Sequence, residues 1–242
     1  MNRMNSFTQS TVPPKMAGYF VDGSPPNINE AIEKFSLAYK KQPLLVNEML
    51  FLHQKGMESY AESIRIPHSE TIGEIYMREI FLTNDKKNFF SLRWSIVKAQ
   101  KTIQEQKRHK EFHPVTLMNI AQDELNESHF SVAIHNKKPG ILISYEPWLT
   151  SPYFHFLIDG NHRIAAKAQK QPKNAHYPVM ILNSKETFET LYHSSDQAFF
   201  LIHLLFTLSI NLNAHHSNFN ELSSIYRTYK NLSSVLKNQG HL

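Results

Sequence analysis

Five consecutive residues of this 242-residue chain, Asp159, Gly160, Asn161, His162 and Arg163, gather the side chains of group-transfer chemistry. They lie in LIDGNHRIAAKAQKQ, where an apolar run ends, a polar turn follows and a helical pattern begins. A carboxylate at a strand end can hold Mg²⁺ or accept a hydroxyl proton. A glycine lets the backbone turn sharply and approach an anion. The start of a helix offers N–H groups without intrahelical acceptors and the positive end of a dipole, which suits phosphate. Arg163 can add a bidentate guanidinium, and His162 can donate to phosphate or shuttle a proton. The same residues admit a plainer reading. Asp-Gly is a common turn dipeptide, Asp159 can cap the helix, and Arg163 can be a solvated first-turn residue.

The elements around the turn must aim these groups. YFHFLI reads as a strand, apolar almost throughout as a central strand would be, and HRIAAKAQK as a helix halted at Pro172. YPVMIL is the next strand, so the segment between Phe154 and Leu182 describes a crossover that can join parallel strands. Upstream, HPVTLMNI and GILISY read as strands, with a short helix in AQDELNESHFSVAI between them. From Asn27 to about His109 the signals are helical, and four helices fit. The first is NINEAIEKFSLAYK, capped by Asn27 or Asn29. PLLVNEMLFLHQKG opens on Pro43 and closes at Gly56; SETIGEIYMREIFL is capped by Ser69; FFSLRWSIVKAQKTIQEQKRHK is the fourth. After the middle third, SKETFETLYHSSDQ reads as a helix capped by Ser184, and NELSSIYRTYKNLSSVLKN as an amphipathic one. AFFLIHLLFTLSINL reads as buried core, with a strand period in its second half at Leu208, Ile210 and Leu212. The expected class is α+β. A mobile arm covers 1–26, a helical region 27–111, a small mixed-sheet unit 112–183, and a mainly helical extension 184–242.

The stretch HFLIDGNHRIAAKAQKQ…YPVMIL resembles the ParB/sulfiredoxin superfamily, over roughly residues 112–183. That family shows an apolar strand, a glycine-containing turn ending in Arg, an Ala-rich helix and a final strand often bearing Pro. The resemblance implies a nucleotide-phosphate site at Gly160, Asn161, His162 and Arg163. It further implies ATP or CTP as nucleotide, with Mg²⁺ at Asp159, and Asp159 and His162 as catalytic candidates. The family includes sulfiredoxin reductases, CTP-binding partition proteins, free-serine kinases and proposed nucleases. The chain has no cysteine, and Asn161 stands where sulfiredoxin has its catalytic thiol, so reductase chemistry is excluded. Partition proteins carry Gly-Glu-Arg-Arg in the turn, followed by a helix-turn-helix; here Asn161-His162 replace Glu-Arg, and no clear helix-turn-helix follows. The Asp-Gly-x-His-Arg form is similar to the kinase-like and uncharacterised branch. The expected function is therefore a Mg²⁺-dependent phosphotransferase or nucleotide hydrolase acting on a small-molecule acceptor. The alternatives are a DNA-associated, partition-like regulator with nucleotide as switch, or a ParB-like nuclease. A second carboxylate would serve phosphoryl transfer, and Glu124, Glu127 or Glu146 are its candidates.

Net charge of +5 permits nucleotide or nucleic-acid partners without demanding them. Lys107, Arg108 and Lys110 can touch nucleic acid, although basic residues at a helix end also favour the dipole. Lys167 and Lys170 continue the side of Arg163, as a phosphate track or as a solvated face. His109 and His113 have helical metal-ligand spacing, but Pro114 follows at once and no carboxylate completes the set. The first residues lack a signal-peptide pattern, and the most apolar stretch is too short to span a membrane. The absence of cysteine fits a reducing compartment, so the expected location is cytoplasmic.

Overall fold

A computed structural model describes residues 25–63, 73–83, 86–107, 109–114, 125–145, 155–170, 176–213 and 219–238. Within them the chain is an α+β protein with a two-stranded and a four-stranded sheet. The elements are α1 (Asn29–Ala38), α2 (Pro43–Ser63), β1 (Ile75–Phe81), β2 (Phe89–Ser95), α3 (Ile96–Glu105), β3 (Glu111–Pro114), α4 (Phe130–Ala133), β4 (Gly140–Ser144), β5 (His155–Asp159), α5 (Asn161–Lys170), β6 (His176–Leu182), α6 (Ser184–Glu189), α7 (Ser194–Asn213) and α8 (Phe219–Asn238). No helix among the described residues is long and apolar enough to cross a membrane.

The helical region differs from its sequence reading in a way that matters for the site. Among the described residues, the helices expected over 69–82 and 89–110 give way to an antiparallel hairpin, β1 with β2, and only Ile96–Glu105 is helical. Cross-strand pairs Tyr76↔Trp94 and Ile80↔Phe90 explain the choice, because large buried aromatic and branched side chains pack well across strands. β2 is buried on both faces after its first residue, so it shows no alternation to read. It is flanked by β1 on one side and by isolated bridges Asn27↔Phe89 and Trp94↔Leu191. Ser95 ends the strand and caps α3 by accepting the Lys98 N–H. Among its described residues the region thus holds three helices, where four were expected.

Two caps also differ. α1 has no side-chain cap at Ile28; the Asn88 side chain, buried in the hairpin, accepts the Ala31 N–H at 2.8 Å instead. Asn183 rather than Ser184 caps α6, in a reciprocal capping box with Glu186. The expected cap Ser69 lies outside the described residues. α2 begins at Pro43, where a missing N–H costs nothing, but it runs through Gly56 to Ser63. A Cβ at Gly56 would stand 3.2 Å from Phe199 Cε1, so this glycine lets α2 and α7 approach closely. α7 stays helical through Asn213, which corrects the strand period read at Leu208–Leu212. Residues 198–205 are all buried, and a helix covered on every side loses its amphipathic signature.

The larger sheet has the order β3-β6-β4-β5. β4 is parallel to β6 and antiparallel to β5, so β5 and β6 run in opposite senses on either side of β4. The expected parallel crossover is therefore absent: α5 carries the chain over β4 to a strand of opposite direction. β5 pairs only with β4 among the described residues, so it is not the central strand its composition suggested. It is apolar on both faces because both are covered. Ile141, Ile143, Phe156 and Ile158 face the hairpin and α7, whereas Leu142, Leu157, Tyr177 and Val179 pack with Ile164 of α5. Of the strand expected at 113–120 only the start is described, within β3; of the helix expected over 121–134, residues 121–124 lie outside the described residues and the rest holds a 3₁₀ turn at Glu127–His129 followed by α4.

One core runs through residues from Ile28 to Leu236, so the helical region, the sheet unit and the C-terminal extension share it. At its edge lies a buried ion pair. Arg93 Nε of β2 donates to Asp196 Oδ1 of α7 at 2.9 Å, and Arg93 Nη2 reaches Ser63 and Ser195 hydroxyls at 3.3 and 3.2 Å. Such a pair tolerates burial only when its remaining polar groups are satisfied, and here α2, β2 and α7 supply them.

Candidate functional site

β5 ends on Asp159, and α5 starts at Asn161, so Gly160 alone makes the turn. Its φ of +99° lies in the region that disfavours side chains. A Cβ there would also stand 2.9 Å from Arg163 Nη2 and 3.1 Å from Gly140 Cα. Just before the turn the β4–β5 pairing skips Ile158: Ile141 opposes Asp159, but Leu142 opposes Leu157. Such a bulge bends a strand end and re-aims its side chains. Here it sets Asp159 opposite a residue of the hairpin-facing core.

Arg163 folds back one helical turn onto the strand end. Its Nη2 meets Asp159 Oδ1 at 3.2 Å and the Pro139 carbonyl at 3.1 Å. The two side chains are only 13% and 20% exposed, which removes the reading of Arg163 as a solvated surface residue. Its Nε is buried without a hydrogen-bond partner among the described residues, so the guanidinium retains donor capacity. Asn161 is buried, and its side-chain amide donates to the Leu157 carbonyl at 3.1 Å. A part for Asn161 in holding an anion thus falls to its backbone. His162 Nε2 accepts the Asn126 N–H at 3.0 Å. A backbone N–H can only donate, so Nε2 carries no proton and the ring's proton sits on Nδ1. The ring also packs against His129 and Phe130, with centroids at 5.5 and 6.3 Å, and so joins the turn to the segment leading into α4.

These residues line one wall of a cleft of about 160 Å³. The opposite wall is the start of the hairpin: Glu74, Ile75 and Tyr76. Partial burial first, and then the Asp159 charge, push the Glu74 carboxyl above its ordinary value, while Arg163 pulls the other way. Glu74 is the carboxylate the sequence reading missed. Of the three candidates named for that role, Glu124 and Glu146 lie outside the described residues, and Glu127 is exposed on the 3₁₀ turn and does not line the cleft. No local motif marks Glu74; the available signal was the alternation of Glu74, Tyr76 and Arg78 in a segment that also fits a helical pattern.

Among the described residues no three metal-ligating side chains cluster. Mg²⁺ typically uses one or two carboxylates together with ligand phosphates, and Asp159 with Glu74 fits that demand. His109 and His113 share no helix, since α3 ends at Glu105 and His113 lies in β3, 3.3 Å from Glu111. The Lys98 ammonium of α3 donates to the Leu191 and Tyr192 carbonyls at 2.9 and 3.3 Å. Lys107 and Lys110 are exposed, Lys167 is partly exposed on α5, and Arg108 lies outside the described residues. Comparison with protein-family models, with curated proteins and with solved structures yields no match.

Proposed function

We propose that the chain is a nucleotide-binding protein of the ParB/sulfiredoxin type that uses ATP or CTP with Mg²⁺ in phosphoryl transfer to a small acceptor or in nucleotide hydrolysis. The observation that carries this reading is the Gly160 turn itself. A backbone that only glycine adopts easily leads straight into the N-terminus of a ten-residue helix, with an arginine held over it. The mixed sheet with α5 against one face supports the family reading.

In this reading the phosphates approach the turn where a side chain at residue 160 would block them. The first-turn N–H groups of α5 and the helix dipole favour the negative charge. Arg163 neutralises it, with Asp159 fixing the guanidinium and Nε left to donate. Asp159 and Glu74 would hold Mg²⁺, which supplies charge neutralisation on the phosphate oxygens. His162 holds the segment before α4 through Nε2. The cleft is small beside the roughly 300–1,000 Å³ of sites that bury drug-sized ligands. It suits a phosphate end and a small acceptor better than a nucleic-acid duplex. The reading as a DNA-associated regulator rests on the exposed Lys107 and Lys110 alone.

A thermal-shift panel of nucleotides with and without Mg²⁺ tests the proposal, because a ligand of the native state raises the apparent midpoint. ATP or CTP is expected to raise it, and Arg163→Ala to abolish the response. A wild-type midpoint that no nucleotide or phosphate compound moves refutes the reading.

A further inference from the structure

We propose that β3 pairs with the β3 of a second copy of this chain, antiparallel about a two-fold axis through Phe112, joining two four-stranded sheets into one of eight strands.

β3 stands at the end of its sheet, with β6 on one side and no strand on the other among the described residues. The ladder itself shows which of its groups face outward. Phe112 is opposite Pro178, Pro114 is opposite His176, and a proline has no N–H to give. The reciprocal bonds of an antiparallel pair therefore fall on Glu111↔Val179 and His113↔Tyr177, and the N–H and C=O of Phe112 point away from β6. Outward backbone groups of this kind are a template for another strand. The side chain agrees with the backbone. Phe112 is 65% exposed, whereas Tyr145, Phe156 and Tyr177 of the same region are buried.

Charge decides the occupant and the register. Glu111 and His113 share one face of the strand, 3.3 Å apart. With the axis through Phe112, the ring meets its own copy, and Glu111 stands opposite the partner subunit's His113 on both sides of the axis. Aromatic pairs and donor–acceptor or opposite-charge pairs stabilise neighbouring strands when they lie directly across. An axis through Glu111 would instead oppose two carboxylates, and one through His113 two imidazoles. In the favoured register Pro114 falls opposite the partner subunit's Lys110, where its missing N–H ends the ladder. The two-fold uses both β3 edges, so assembly closes at two copies. The cleft lies at the β5 end of each sheet, three strands away, and stays open. Four residues a side make a small contact, so the dimer is weak and reversible.

Sedimentation velocity on the full chain tests the proposal. The wild type is expected to pass from monomer to dimer between about 10 µM and 1 mM. Phe112→Asp sets two carboxylates face to face at an exposed position and is expected to weaken association at least about tenfold, with an unchanged urea midpoint. Glu111→His and His113→Glu each oppose like groups and should each weaken it about threefold, whereas the double exchange restores the pairs and the wild-type Kd. The chain has no cysteine, which permits a geometric check. Phe112→Cys should form an interchain disulfide on mild oxidation, since Cα atoms of a hydrogen-bonded pair lie about 5.5 Å apart. Lys110→Cys should not, because the two copies of residue 110 would be separated by four residues of strand, roughly 13 Å. A wild type that stays monomeric overturns the proposal, as does a dimer that Phe112→Asp leaves intact. A dimer that the double exchange fails to restore, or that crosslinks through residue 110 and not 112, also overturns it. If Phe112→Asp lowers the urea midpoint, the charge exchange and the crosslink decide.

Discussion

At Gly160 two demands coincide: a φ of +99°, and a Cβ position 2.9 Å from Arg163 Nη2. Alanine there pays for the left-handed backbone, about 1–2 kcal/mol, and also displaces the guanidinium. Gly160→Ala is therefore expected to lower the urea unfolding free energy by about that amount and to remove the nucleotide-induced midpoint shift. Wild-type stability in this variant, read from its urea midpoint, would contradict the turn geometry. The sequence makes the group from Asp159 to Arg163 legible because its members are contiguous and their types are unusual together. It could not show that Asp159 and Arg163 bond to each other, or that the Asn161 amide turns inward to Leu157. Glu74 was hidden for a different reason. Its approach to Asp159 exists only through tertiary packing, and its segment had been read as the wrong element.

Among the helices, those that bury one face were read correctly from pattern, whereas full burial hid the period of β2 and of the second half of α7. α8 and α5 show apolar stripes, and both appear close to where the sequence places them. β2 and α7 are buried on all sides, so neither shows its true period, and each was assigned the other's class in part. α7 also carries a clear pH response. His203 is buried, with its Nδ1 2.7 Å from the Tyr145 hydroxyl at the end of β4, and burial lowers its pKa from 6.5 to about 3. The native state thus leaves this imidazole neutral at a pH where the unfolded chain protonates it. Unfolding then takes up a proton, so its contribution to stability is intact above about pH 6.5 and falls as pH drops towards 3, by up to about 1.4 kcal/mol per pH unit. His53 and His155, also lowered by burial, act in the same direction. Urea midpoints between pH 7.5 and 5 should fall in the wild type and fall less steeply in His203→Gln. Equal slopes would contradict the assignment.

On the scale of the whole molecule, the cleft exists because the hairpin and the four-stranded sheet share one core. Ile80, Phe90 and Trp94 of the hairpin pack in the same cluster as Ile141, Phe156 and Ile158 of the sheet, and α7 closes it with Phe199, Phe200 and Leu204. Arg78 of β1 lies over the Phe156 ring at 4.2 Å, so the start of the hairpin is held above the strand that ends in Asp159. The α+β class was readable from composition and element order, whereas this joining of distant segments was not, since no local pattern encodes which faces meet. The central claim is that nucleotide phosphate binds at the junction of β5 and α5. An amide-resolved NMR titration of the full chain with ATP or CTP, with and without Mg²⁺, addresses it most directly. The account predicts that the backbone amides of Gly160, Asn161, His162 and Arg163 shift in a saturable manner, with Glu74 responding across the cleft and α8 unaffected. Shifts confined to the exposed lysines at the end of α3, or no saturable shift at residues 160–163, would contradict it.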